Sequence, residues 1–289
     1  MTKLSREMLV DYLREFKLPA ADSHKGQNGK LLIIGGSELF HAASKWSLDI
    51  ASRLVDMVFY SSLPENNQLV KEAKQEFWQG IVVPRESLID YLEEADAVLI
   101  GPGMERSQET ANLTNQLLSD YPSKRWVVDA GALQMVEPSL LSGEKIITPH
   151  QAEFANLKER GFDLSQATAA GLTTLLKGPV DQVFSAQLTP GSAQLHSGGG
   201  LPPTNTTTPT LHIEGGNPGL TKGGTGDVLA GLVAAFFTTQ NALTSALVAS
   251  YLNKAAADQL YQRVGPYFNA TDLVGQLPET LWQLKRSIS

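Results

Sequence analysis

The chain has 289 residues, 42% hydrophobic and 18% charged, enough to bury the core of one large α/β domain or two small ones. Its net charge of −7 contains no block of like charge, so neither a nucleic-acid nor a membrane-surface partner is expected. The absence of cysteine excludes disulfides, thiolate catalysis and thiolate-built zinc sites, and no apolar run approaches the roughly 18 residues of a membrane span. Met1 to Glu7 carries no apolar signal region, so a cytoplasmic protein is expected.

In chain order, residues 4–16 place apolar side chains at helical spacing and stop before Pro19. They predict a surface helix within an N-terminal lead-in that extends to residue 23. A polar loop from Asp22 to Lys30 precedes the continuous apolar run Leu31 to Ile34, the pattern of a strand buried on both faces of a parallel sheet. Gly35, Gly36 and Ser37 end that run, a helix is predicted over 42–54, and the next strand lies at 57–60. The rhythm of strand, turn and helix repeats at 81–83, 97–100, 126–128, 145–147 and 172–176. Such alternation predicts an α/β fold with a mostly parallel sheet, helices on both faces and right-handed crossovers. No linker interrupts it, so a single domain over 1–289 is expected.

Beyond Lys177 the pattern changes. Residues 183–187 and 210–213 read as short antiparallel edge strands, and 192–208, rich in Ser, Gly, Pro and Thr, as a flexible surface loop. The remainder is helical at 228–238, 242–262 and about 272–285, the first two apolar on most faces and therefore buried.

In an open parallel sheet, ligands sit beyond the carboxyl ends of the strands. Here those ends carry Gly35 to Ser37, Gly101 to Gly103, Asp129 to Gly131, Thr148 to His150, and Lys177 with Gly178. Gly215 to Asp227 comes later and is the most informative stretch, with six glycines in 13 residues feeding an apolar helix. Glycines let backbone N–H groups converge on one point, and a helix N-terminus adds unpaired donors and a field that favours an anion. The stretch matches neither G-x-x-x-x-G-K-[ST] nor G-x-G-x-x-G. Asp227 stands where a base beside a phosphate would stand, and equally where a helix cap would. His150 is likewise a helix N-terminal residue or a ligand-facing one, Lys177 a phosphate partner or a solvated lysine, and Asp129 a turn former or a pocket residue. No carboxylate cluster announces a metal site.

Several motifs, in this order, resemble those of the ADP- or ATP-dependent NAD(P)H-hydrate dehydratases, a branch of the ribokinase-like fold. They are His24 to Ser37, Gly101 to Gly103, Val127 to Ala130, Thr148 to Glu153, Leu176 to Gly178, and above all Gly216-Asn-Pro-Gly219 leading into Gly223 to Asp227. The resemblance covers roughly residues 24–285 and implies a three-layer sandwich. It also implies an activity: phosphorylation of the hydroxyl of NADH or NADPH hydrate (NADHX, NADPHX) from ADP or ATP. Phosphate elimination then regenerates the reduced nicotinamide.

By the same resemblance Asp227 is the base, and Gly223, Gly224, Thr225 and Gly226 form an anion hole for the transferring phosphate. Lys177, Gly178, Pro179, Val180 and Asp181 match the nucleotide-binding segment, to which Gly226 also belongs. Ala43, Gly103, His150, Asn217 and Asp227 match the positions around the hydrate, and Glu153 faces the cleft or caps its helix. Mg²⁺ is expected from phosphate chemistry. Relatives imply a homo-oligomer, a tetramer among the forms, and many carry an epimerase domain that is not expected here. Ala42 stands where relatives carry glycine, and its extra methyl is expected to narrow the substrate side. The alternatives are a small-molecule kinase of the same fold, acting on a sugar, thiazole or pyrimidine alcohol, and a non-catalytic nucleotide sensor.

Overall fold

The computed structural model describes residues 2–77, 79–188 and 208–288. The 192–208 loop expected from composition therefore lies almost wholly outside the described residues. In chain order the elements are β1 (Thr2–Lys3), α1 (Arg6–Glu15), β2 (Lys30–Ile34), α2 (His41–Ala51), β3 (Met57–Ser61), α3 (Pro64–Glu72), β4 (Ile81–Val82), α4 (Leu88–Glu94) and β5 (Ala97–Ile100). There follow α5 (Gln108–Asp120), β6 (Arg125–Val128), α6 (Ala130–Met135), β7 (Lys145–Ile147), α7 (Gln151–Glu159), α8 (Leu164–Ala169), β8 (Thr173–Leu176), β9 (Asp181–Phe184) and β10 (Thr210–Ile213). Helices α9 (Thr225–Phe237), α10 (Ala242–Val264) and α11 (Ala270–Arg286) complete the chain.

The strands form one sheet in the order β1-β10-β9-β8-β7-β6-β5-β2-β3-β4. Among the described strands only β9 runs against its neighbours, pairing antiparallel with both β8 and β10. The apolar runs read from sequence are the central strands, and alternate residues feed two cores because both faces are covered. Leu31 and Ile33 of β2 join the core under α1, α2, α9, α10 and α11, whereas Leu32 and Ile34 join the core under α4 to α8. Each such fully buried aliphatic side chain contributes about 1.5–3 kcal/mol over leaving it in water. These layers match the expected sandwich.

Two expectations at the sheet margin are corrected. The strand read at 183–187 begins earlier, at Asp181, because the Asp181 carboxylate accepts from the Gly178 N–H at 2.9 Å and closes the turn before it. β10 is not the edge either, since β1 pairs parallel with it, Thr2 against Leu211 and Lys3 against His212. A two-residue strand is too short for any periodicity to reveal.

The switch in strand order falls between β2 and β5, where the chain runs outward through β3 and β4 and then returns to the other side of β2. The register aligns Ile34 with Ile100, Ile100 with Val128, and Val128 with Ile147. The turns that follow these strands consequently share one rim. Among the described residues no helix is long and apolar enough to cross a membrane.

Candidate active site

The rim is laced by short backbone hydrogen bonds. Gly36 N–H donates to the Pro102 carbonyl at 2.7 Å, and Lys177 N–H to the Pro149 carbonyl at 2.8 Å, which sets Lys177 beside His150 as an isolated parallel bridge. Into this rim α9 delivers the glycine loop. Its docking depends on Gly231, where a Cβ would stand 2.7 Å from Ser47 Cα. The missing side chain lets α2 and α9 approach closely, and Ser47 Oγ then donates to the Asp227 carbonyl at 2.8 Å. Gly224 is the N-cap of α9, at φ +93°, and any side chain there would overlap the Trp46 ring. Only glycine meets both conditions without cost.

The remaining loop residues differ in what they offer. Around Gly223 there is open space where a side chain would begin, and at Gly226 that position lies 3.7 Å from Lys177 Nζ. The Thr225 hydroxyl is committed internally, donating to the Leu220 carbonyl at 2.7 Å and the Lys222 carbonyl at 2.9 Å. The first-turn N–H groups of α9 have no intrahelical acceptor, so the loop presents an anion-binding N-terminus.

Opposite the loop lies a coupled set of charges. Asp129 is 2% exposed, and its Oδ1 accepts from Thr148 Oγ1 at 2.8 Å and from Lys177 Nζ at 3.0 Å. The residue after it, Ala130, is held at φ +44°, an uncommon backbone state for a residue with a side chain. Burial alone would push the Lys177 ammonium down, but Asp129, Glu153 and Asp227 outweigh it and hold the lysine above its ordinary value. Half-buried Asp227 is pushed up to about 7, first by burial, then by the Asp129 and Glu153 carboxylates, with Lys177 opposing. A carboxyl poised near neutrality can exchange a proton with an alcohol substrate at working pH.

His150 is the N-cap of α7. Its Nδ1 accepts from the Ala152 and Glu153 N–H groups at 3.1 and 3.2 Å, which leaves the proton on Nε2. Glu153 completes the reciprocal box by accepting from His150 N–H at 2.9 Å, so it caps its helix and also faces the charge cluster. Ala43 and Gly103 meet at the switch point, where a Cβ on Gly103 would stand 3.0 Å from that of Ala43. Ala42, the residue before Ala43, is exposed. Next to the contact of Ala43 with Gly103 opens a cavity of about 280 Å³ lined in part by Gly36, Ser37, Met104 and Arg85, with one buried guanidinium nitrogen of Arg85 lacking a partner.

Asn217 is engaged at both ends of its amide, accepting from Gly219 N–H at 3.0 Å and donating to Asp258 at 2.9 Å. It shapes the loop from outside the charge cluster. Pro179 and Val180 lie exposed in the turn that Asp181 closes. Sequence reasoning did not single out Ser47, Lys254 or Asp258, and named Thr148 only as part of its turn. For Lys254 and Asp258 a signal existed: Ser250, Lys254 and Asp258 recur every four residues along one face of a largely buried helix.

No described group of three or more His, Asp or Glu side chains could hold a metal ion. Nucleotide phosphates, in contrast, fit what is present. Gly223 has open space around it, the start of α9 offers N–H groups without an intrahelical acceptor, and the Lys177 ammonium lies 3.7 Å from where a side chain on Gly226 would begin.

A sheet of this order with a late glycine loop at a helix N-terminus defines a ribokinase-like α/β protein, and solved structures agree. A ribokinase-like superfamily protein from Enterococcus faecalis superposes with a TM-score of 0.78 at 23% identity, over 98% of this chain and 96% of that one. An ADP/ATP-dependent NAD(P)H-hydrate dehydratase from Bacillus subtilis, co-crystallized with ATP/Mg²⁺, does so at 0.71 and 18% identity, over 98% of both chains. Within that fold the chain belongs to the NAD(P)H-hydrate dehydratase family, whose model matches residues 31–199 and 204–279. A bifunctional NAD(P)H-hydrate repair enzyme of Methanocaldococcus jannaschii is 33% identical over 93% of this chain and 51% of its own length. The ADP-dependent (S)-NAD(P)H-hydrate dehydratase of Cenarchaeum symbiosum is 28% identical over 90% of this chain and 91% of its own. The chain thus spans about half the length of the bifunctional relatives it matches.

Proposed function

We propose that this protein dehydrates the hydrates of NADH and NADPH at the expense of ADP or ATP. The observation that carries the reading is Asp227. It is a half-buried carboxyl raised to about 7, set in the first turn of α9, where glycine N–H groups and Lys177 face the same space. Asp227 takes the proton of the hydrate hydroxyl, and the freed oxygen attacks the terminal phosphorus of the nucleotide. The phosphoanhydride bond breaks, leaving AMP from ADP or ADP from ATP. Gly223, Gly224 and Gly226 N–H groups and the Lys177 ammonium stabilise the charge on the transferring phosphoryl group. Thr225 contributes its backbone, since its hydroxyl is committed to the loop.

Hydroxide is a poor leaving group and phosphate a good one. Once phosphate is attached, the lone pair of the ring nitrogen expels it, and loss of a proton from the adjacent ring carbon restores the double bond. Ala43, Gly103 and the Nε2–H of His150 border the hydrate, and the cavity beside Gly36 offers space to part of the dinucleotide. Asn217 acts by shaping the loop, while Lys177 to Asp181 lines the nucleotide side. Mg²⁺ accompanies the nucleotide phosphates, its usual mode of binding in phosphoryl transfer.

Mixing the protein with NADH hydrate and ADP or ATP tests the proposal. Return of the near-ultraviolet absorbance of reduced nicotinamide, with release of inorganic phosphate, is the expected result. A stable phosphorylated product from some other alcohol, with no return of absorbance, would instead identify a kinase of this fold.

A further inference from the structure

Helix α10 is buried over most of its surface, yet it carries a buried lysine within a line of polar residues. Ser250, Lys254 and Asp258 are spaced four apart and so share a face. Lys254 is 5% exposed. Its ammonium lies 3.2 Å from each of three backbone carbonyls, those of Gly178, Pro179 and Gly215, and 3.5 Å from Asp181 Oδ1. Ser250 Oγ holds the other oxygen of Asp181 at 2.7 Å. One turn further, Asp258 accepts from Gly216 N–H at 3.0 Å and from the Asn217 amide at 2.9 Å.

A buried ammonium is costly unless oxygens replace its water. Here four do, and they come from two segments far apart in sequence: the turn between β8 and β9, and the lead-in to the glycine loop. A methionine would fill the same volume without the cost of desolvating a charge. What the charge adds is a compact cation at the meeting point of the two segments.

We propose that Lys254 is a positioning residue, an internal cation that holds the 178–181 turn and the Gly215–Asn217 lead-in at the spacing a bound nucleotide requires. It governs nucleotide affinity without touching the nucleotide. The proposal rests on the nucleotide-binding role assigned above to these segments.

Calorimetric titration of the full chain with ADP and with ATP tests it, since binding is read without the hydrate. Lys254→Ala is expected to weaken both nucleotides about tenfold or more. Ammonium or potassium chloride should restore most of that loss by entering the space the side chain vacates, whereas tetramethylammonium chloride at equal ionic strength should not. Lys254→Met, which fills the space, is expected to lose affinity without rescue. If Lys254→Ala does not fold, Lys254→Met stands in, since it keeps the volume, removes only the charge, and should weaken both nucleotides.

Unchanged nucleotide affinity in a folded variant overturns the proposal. So does a loss in Lys254→Ala that ammonium and potassium fail to restore, which would reduce Lys254 to packing. Wild-type protein that binds neither nucleotide would overturn the underlying reading and this proposal with it, whereas wild-type binding with undiminished binding by the variants overturns the positioning role alone.

Discussion

Lys177 Nζ lies 3.0 Å from Asp129 Oδ1 and 3.7 Å from the point where a side chain on Gly226 would begin. One ammonium thus links a buried carboxylate to the glycine loop. It offsets the burial cost of Asp129 and restrains the upward shift of Asp227, tying together residues from distant parts of the chain.

Lys177→Met should therefore do more than weaken nucleotide binding. It removes the cation that opposes the rise of the Asp227 carboxyl, so the acid limb of the pH–rate profile should move above about 7. It also leaves Asp129 buried without its cation, at a cost of about 3–5 kcal/mol, seen as a lower midpoint in denaturant. A profile unmoved by the substitution would separate Lys177 from Asp227.

For the wild type, the base must be ionised to act. With Asp227 at about 7, kcat/KM should be level above that pH and fall about tenfold per unit well below it. Stability carries the opposite sign. The folded value lies above the ordinary carboxylate value, so ionising Asp227 in the folded state costs stability, and that loss accrues as pH rises from about 4 to about 7. Asp227→Asn should raise Tm more at pH 8 than at pH 5, a contrast that thermal melts at the two values measure.

The two adjacent glycines should separate folding from binding. Gly224→Ala forces a side chain into Trp46 at a positive φ and is expected to destabilise the fold by about 1–3 kcal/mol. Gly223→Ala meets open space, so its Tm should stay near wild type while nucleotide affinity falls. Melting curves beside nucleotide titrations of both variants check this.

His150 has a capping role that any test of ligand contact must preserve. His150→Asn keeps an oxygen for the Ala152 and Glu153 N–H groups, so Tm should change little, whereas His150→Ala should cost about 1 kcal/mol. Loss of the Nε2–H should raise the KM for the hydrate in both. An unchanged KM in the Asn variant would leave His150 as a cap alone.

Much of this was legible in the chain because parallel strands buried on both faces declare themselves as continuous apolar runs. Leu31 to Ile34 and Ala97 to Ile100 fall where they were read, and the glycine loop precedes an apolar helix as its spacing required. The misses have local causes. Thr2 and Lys3 form a strand only because β10 offers an open edge, and Asp181 starts β9 early through one side-chain bond to its own turn. The resemblance sets Asn217 beside the hydrate, and Asp258, some forty residues on, takes up its amide. Pairings of that kind follow from packing between distant elements, which no local pattern encodes.

The most direct measurement follows the near-ultraviolet absorbance of NADH hydrate after addition of ADP or ATP, with wild type and Asp227→Asn in parallel. The account predicts that wild type restores the band with release of one inorganic phosphate per NADH formed. Asp227→Asn should leave it flat while still binding nucleotide. Recovery of the band by Asp227→Asn at the wild-type rate, or by neither protein while both bind nucleotide, would contradict it.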